Sequence, residues 1–296
     1  MVDNEENQKV KAVSDFLHNS CRIRPSYRLS FANFFSGVSY PITRLDGTKC
    51  KLFSMSTGSV AEFYIEPMLS CIGDADVMYH YSNELAIPEG HTPPIQLPTA
   101  YENHVNVYEI VDSHLPGYVY LKLRYKLSRD MHKNDYIRAE YVGSSHAMLN
   151  NQLHFVNKHN IEIHGPAYMF VGYSLPKFLR KPGCMIDTVP CMHCFVWPPQ
   201  AIDWLKRHRS HVWPDSATVD CVVSKGCDLV GVAHRDCRDN EWMSKHQWRL
   251  SFSRAEVLLL NSWIPEQQII CHMLRVYAKS EKLVGNAICK ADTLSN

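Results

Sequence analysis

The sequence predicts an α+β fold, with a mixed sheet and flanking helices over residues 1–190 and a mostly helical segment over residues 191–296. Three observations predict it. Up to Val189, short runs rich in β-branched and aromatic residues alternate with Gly, Pro and Asp-Gly turn signals. From Trp197 the composition shifts, and Pro198-Pro199 opens a stretch with apolar residues at helical spacing through Arg209. Trp248–Asn261 and Glu266–Lys279 then read as two further helices.

Taken in order, residues 1–20 read as a helix carrying Val10, Val13, Phe16 and Leu17 at helical spacing. Lys51–Met55 reads as a strand entering a Gly58-Ser59 turn, and Ala75–Tyr81 as a second strand. Residues 86–98 hold Pro88, Pro93, Pro94 and Pro98 with Gly90, which predicts an extended loop. Val105–Val111 and Tyr118–Lys126 flank Pro116-Gly117 and predict a hairpin. Ala139–Phe155 is expected to be helical, His164–Ala167 a loop and Cys184–Val189 a buried strand. Val219–Lys225 reads as a short helix or strand closed by Gly226.

The chain has 296 residues, of which 45% are hydrophobic and 21% charged, a globular composition. Its 31 basic and 30 acidic residues give a formal charge of +1, so any binding to nucleic acid must come from a local patch. No apolar run approaches the roughly 20 residues that cross a bilayer. The 11 cysteines are irregularly spaced and the N-terminus is acidic, which points to free thiols in the cytoplasm and to no membrane association.

The candidate chemistry lies between Ser56 and Met78. Asp74 and Asp76 are two apart on an expected strand edge, so both point to one face and can share a hard divalent cation. Gly58 and Ser59 upstream form a small-residue turn able to approach phosphate. Asp187, in an apolar strand where an unpaired carboxylate would be costly, is a third ligand. Three carboxylates can hold two magnesium (or manganese) ions, an arrangement suited to nucleotidyl transfer. Such acidic pairs also occur on solvated turns, and the pattern alone leaves both readings open. For Trp248–Glu256 the ordinary reading is the start of an amphipathic helix with Trp248, Leu250 and Phe252 in the core.

Further motifs follow in sequence: His164-Gly-Pro-Ala167, Asp187-Thr-Val-Pro-Cys-Met-His-Cys194, Trp197-Pro, Trp213-Pro, Gly226-Cys-Asp-Leu-Val-Gly-Val-Ala-His234 and Trp248-Arg-Leu-Ser-Phe-Ser-Arg-Ala-Glu256. With the Gly-Ser and Asp-Ala-Asp pair, this set resembles the mab-twenty-one family of nucleotidyltransferases over residues 50–280. That family includes cyclic GMP-AMP synthase and the cyclic GMP-AMP synthase-like receptors of animals, and the invertebrate type is the expected one. The resemblance implies a nucleotidyltransferase sheet followed by a helical lobe, with the active site in the cleft between them. It implies that Gly58 and Ser59 hold ATP phosphates and that Asp74, Asp76 and Asp187 bind magnesium and carry catalysis. Arg249, Ser251, Ser253 and Glu256 would contact nucleotides, with Arg275 a looser match to a phosphate-binding lysine.

The implied substrates are ATP and GTP or other nucleoside triphosphates, and the implied product is a cyclic dinucleotide made by an innate-immune sensor. Double-stranded nucleic acid is the implied activator. Candidate contacts are Arg22, Arg24 and Arg28, then Lys206, Arg207 and Arg209, beside Lys9, Lys11, His208 and Lys225. The vertebrate DNA sensor carries a zinc-binding insertion after the Arg-Leu-Ser-Phe-Ser helix, whereas Leu260–Gln268 spans that gap here without Cys or His. Double-stranded RNA is therefore favoured over DNA, and no structural zinc is expected. The one Cys-x-x-Cys, Cys191–Cys194, reads as buried thiols because structural zinc takes paired spacings. Residues 285–296 hold no aromatic, so the helical lobe is expected to be incomplete, lacking the family's base-stacking tyrosine. Two alternatives stand beside this reading: a non-catalytic nucleotide-binding or protein-interaction module, and a template-independent transferase acting on an RNA end.

Overall fold

The computed structural model describes residues 8, 11, 39–44, 47–58, 75–130, 132–133, 135–148, 161–164, 167–171, 185–209, 213–238 and 240–280. Of the expected N-terminal helix only Gln8 and Lys11 are described, both helical; Ser59, Asp74, Arg22, Arg24 and Arg28 lie outside the described residues.

The fold is α+β. Its strands are β1 (Ser39–Thr43), β2 (Lys49–Thr57), β3 (Ala75–Tyr81), β4 (Glu84–Pro88), β5 (His104–Asp112), β6 (Tyr118–Arg129), β7 (Tyr136–Glu140), β8 (Ile161–His164), β9 (Ala167–Val171), β10 (Met185–Cys194), β11 (Cys227–Val230) and β12 (Gln247–Ser251). After a 3-10 turn at Pro199–Ala201 come α1 (Ile202–Lys206), α2 (Ser216–Ser224), α3 (Met243–His246), α4 (Ser253–Asn261) and α5 (Pro265–Ser280). The strand path runs β1-β2-β3-β10-β11-β12-β6-β5-β4, and a contact of Cys194 with Ala86 brings β4 back to β10.

The hairpin expected around Pro116-Gly117 is β5–β6, paired from His104↔Ser128 to Asp112↔Val119. Its stability comes from alternation: Val119, Leu121, Leu123, Tyr125 and Leu127 are all buried, with less buried residues between them. Two buried clusters meet along these strands, one around Ile110, Leu121, Leu229 and Trp248, the other around Leu85, Val105, Val107 and Leu127.

β10 is the central strand. Its first half pairs with β3 on one side and β9 on the other, and its second half pairs with β11. Pro190, which has no N–H to give, sits after the β9 pairing has ended at Thr188 and before the β11 pairing begins at Cys191. The composition change expected near residue 190 thus falls within this strand, and β11 and β12 follow it in the same sheet.

Three sequence expectations are corrected. Of the loop expected over 86–98, residues 86–88 belong instead to strand β4 and 89–98 are irregular: Leu85, Ala86 and Ile87 are fully buried against β5, and Pro88 stands at the strand end where a lost donor costs little. The helix expected from Ala139 begins instead as β7, because Tyr136 packs in the core and the segment pairs with β6. Residues 141–148 are not helical, and residues 149–155 lie outside the described residues. Trp248–Ser251 is the strand β12, not a helix start; its residues alternate at period two, and helix α4 begins only at Ser253.

Helix α2 settles the reading of Val219–Lys225. It begins at an Asp215 cap, whose carboxylate accepts from the Thr218 N–H at 2.7 Å, and Gly226 leaves it with φ +63°. A Cβ on Gly226 would run into the backbone of Cys194 and Phe195. Gly226→Ala should therefore cost about 2–4 kcal/mol, combining left-handed strain with overpacking. A thermal melt of the variant checks this.

Candidate nucleotide and metal site

The β3–β10 register places Asp187 directly beside Asp76. Neighbouring residues on adjacent parallel strands point to the same face about 4.8 Å apart, so both carboxylates can reach one cation. β2 is antiparallel to β3 and brings Thr57 opposite Asp76. The chain then turns at Gly58 with φ +66°. A Cβ at this position would overlap the Asp76 carboxylate, lying 2.8 Å from its Cγ. A side chain there would be strained by the positive φ and would displace the Asp76 carboxylate, so the turn lies directly against Asp76. Asp76 and Asp187 are both partly buried. This set of hard oxygen donors beside a glycine turn suits a divalent ion such as magnesium.

Two strands along the same sheet, Arg249 is exposed on β12, and Ser251, Ser253 and Glu256 are partly buried at the β12–α4 junction. Ser251 Oγ and Ser253 Oγ lie 3.1 Å apart. Arg249 stands opposite Val230, which stands opposite Cys191, four residues along β10 from Asp187. At about 3.3 Å per residue and two strand spacings, Arg249 is about 16 Å from the acidic pair, on the order of an extended nucleotide. Arg275 lies on α5, where only the backbone is described.

A group that sequence reading did not single out holds this junction in place. Asp228 on β11 is fully buried. Arg254, one residue into α4 from Ser253, donates from Nε to Asp228 Oδ2 at 2.7 Å and from its terminal nitrogen to Oδ1 at 3.2 Å. His193 Nδ1 lies 2.9 Å from the same Oδ1. Burial is the largest influence on Asp228 and opposes its ionisation; the His193 hydrogen bond and the Arg254 charge more than offset it, holding the carboxyl well below the usual range. Burial also pushes the neighbouring His80 imidazole down to about 3, so it is neutral. The signal was present in Cys227-Asp-Leu-Val230: a charge inside an apolar strand demands a partner, but nothing in the sequence says that the partner is 26 residues on.

Residues 93–262 match the model of the Mab-21 protein nucleotidyltransferase domain. The chain belongs to the Mab-21 family. Asp187, Asp228 and the Arg249–Glu256 segment lie within the matched region, and Gly58 and Asp76 precede it. A comparison with curated proteins gave no match. Mab-21 membership makes this a nucleotidyltransferase-domain protein and implies nucleoside triphosphate substrates and a divalent metal.

The basic residues expected to meet nucleic acid have varied surroundings. Lys206 Nζ is 3.3 Å from Asp203 on its own helix. Arg209 turns back on α1, donating to the carbonyls of Trp204, Leu205 and Arg207 and stacking 5.0 Å over the Trp204 ring. Arg207 and His208 are exposed, beside a cavity of about 290 Å³ that Trp204, Trp213 and Leu259 also line. No helix among the described residues is long and apolar enough to cross a membrane.

Proposed function

We propose that this Mab-21 protein joins two nucleoside triphosphates into a cyclic dinucleotide, as a cytoplasmic innate-immune sensor switched on by double-stranded nucleic acid, with RNA favoured over DNA. The observation that carries the reading is the pairing of Asp76 with Asp187 in register, with Gly58 against Asp76. Asp76 and Asp187, with Asp74, would hold one or two magnesium or manganese ions. Such ions activate an attacking hydroxyl and neutralise a leaving pyrophosphate. Gly58 and Ser59 would let backbone N–H groups approach the triphosphate. Arg249 would offer its planar fork to a base edge or phosphate, Ser251 and Ser253 would donate hydroxyl hydrogen bonds, and Glu256 would accept from the second nucleotide. Arg275 would meet phosphate from α5. Reaction then consists of attack by a ribose hydroxyl on an α-phosphorus and departure of pyrophosphate, performed twice, with positioning and charge neutralisation supplying the catalysis.

For the activator, Arg22, Arg24, Arg28, Lys206, Arg207 and Arg209 are the proposed backbone contacts; phosphate contacts need charge in the right place but carry no sequence information. The shape of an A-form duplex and its 2′-hydroxyls would then be what is read.

The test incubates the protein with labelled ATP, GTP, CTP and UTP, magnesium or manganese, and long duplex RNA or DNA. A phosphatase-resistant product that requires a duplex supports the proposal. No product with either duplex favours a non-catalytic binding module, and a product attached to an RNA end favours the terminal transferase. Gly58→Ala should lower product formation at least about 100-fold, because the added methyl displaces the Asp76 carboxylate and loss of one aligned metal ligand costs several kcal/mol of transition-state stabilisation. Steady-state rates of the purified variant check it.

A further inference from the structure

We infer that His80, Cys191 and Asp228 form a second metal site, selective for a zinc-class transition ion and separate from the Asp76–Asp187 pair. One ligand atom from each residue lies within 4.8 Å of the other two. The three come from neighbouring strands. The β3–β10 register pairs Pro190 with Tyr79, so the next step sets Cys191 beside His80, and β11 brings in Asp228 opposite His193. The site therefore lies four residues along both β3 and β10 from the carboxylate pair, about 13 Å away.

The donor set decides the class of ion. An imidazole nitrogen, a thiolate sulfur and one carboxylate oxygen suit zinc, cobalt or nickel, whereas magnesium takes oxygen ligands alone. Tetrahedral zinc with bonds of about 2.0–2.3 Å sets its ligand atoms roughly 3.3–3.7 Å apart, so the three atoms need close by only about 1 Å. Three protein ligands leave a fourth position for water.

The surroundings orient the ligands. His193 and Arg254 both bond the Asp228 carboxylate and fix its plane, as outer partners do at metal sites. The His80 ring is stacked on Phe53 with centroids 5.0 Å apart and lies 5.4 Å from the His193 ring. His80 is neutral and so ready to ligate, while the Cys191 thiol is held protonated by burial and by the Asp228 charge, with its Sγ 3.8 Å from Asp228 Oδ1. Binding therefore forms a metal–sulfur bond and releases the thiol proton to solvent. The two negative ligands match the charge of the dication, and Arg254, still bonded to Asp228, leaves the whole group with one positive charge. The sequence expectation of no structural zinc rested on the lack of paired Cys and His spacings; three strands supply here what spacing does not.

The test loads the chelator-stripped full chain with cobalt(II). The expected result is about one equivalent bound, with a thiolate-to-cobalt charge-transfer band and tetrahedral ligand-field bands. Stoichiometric zinc should abolish both, and excess magnesium should not. Cys191→Ser should lose the charge-transfer band and bind zinc at least about 10-fold more weakly. As a readout that needs no variant, X-ray absorption of zinc-loaded wild type should show one sulfur ligand, with nitrogen and oxygen completing the shell. Failure to retain cobalt or zinc, a band that survives in Cys191→Ser, or a shell with no sulfur or with two or more would each overturn the inference.

Discussion

Asp187→Asn should reduce the proposed nucleotidyl transfer by about a thousandfold or more while leaving the melting temperature nearly unchanged. Asp187 stands beside Asp76 at the point where β3 and β10 run in parallel register. Asn keeps the volume of Asp but turns one acceptor oxygen into an NH2 donor and removes the negative charge that a hard cation needs. A site that works by positioning and neutralising phosphate loses several kcal/mol of transition-state stabilisation with one metal ligand, and about 4 kcal/mol is a factor of a thousand. Asp76→Asn should behave alike. The comparison of rate and melting temperature separates this from a packing role, which would move both. Arg249→Ala serves as a contrast: exposed on β12, it should weaken nucleotide binding and leave metal affinity intact.

The second large effect is on stability. Asp228→Ala in metal-free protein should cost about 3–5 kcal/mol, the range seen when one partner of a buried ion pair is removed. The loss arises less from the missing attraction than from what remains: an Arg254 guanidinium whose fork has no acceptor and a His193 Nδ1 with no carboxylate. The double variant Asp228→Asn with Arg254→Met should recover part of the loss, because it leaves no uncompensated charge. Chemical denaturation measures both, with a shifted midpoint at an unchanged slope marking a change in stability rather than in the unfolded chain. The same substitution bears on function. Arg254 sits between Ser253 and Glu256, so the pair anchors the segment proposed to contact nucleotide to the sheet that carries Asp187.

Much of this arrangement was legible in the sequence where local pattern decides. The period-two alternation of β6 and the Pro116-Gly117 turn gave the hairpin, and Gly226 marked the end of α2, whereas its start at the Asp215 cap was not read and helix or strand was left open. Asp187 was readable because a carboxylate among Met185, Ile186 and Val189 has to have a use. What local pattern cannot reveal is which strands become neighbours. The pairing of Asp187 with Asp76 follows from a parallel crossover of more than a hundred residues, and the approach of Arg254 to Asp228 from the return of β12 alongside β11. Trp248–Ser251 was misread for a related reason. Its apolar residues alternate at period two, as a strand face requires, and β6 and β11 both offer it an edge, while the helix that follows it begins only at Ser253. Residues 86–88 show the reverse error, in which the prolines at and beyond the end of β4 masked its last residues.

The central claim is that Asp76 and Asp187 together hold a divalent ion at the Gly58 turn. Manganese binding to zinc-loaded protein, followed by electron paramagnetic resonance with a non-reacting triphosphate analogue present, tests it most directly. Wild type should bind manganese tightly, with binding weakened at least about tenfold by either Asp76→Asn or Asp187→Asn and unaffected by Arg249→Ala. Equal manganese affinity in wild type and in both Asn variants would contradict it.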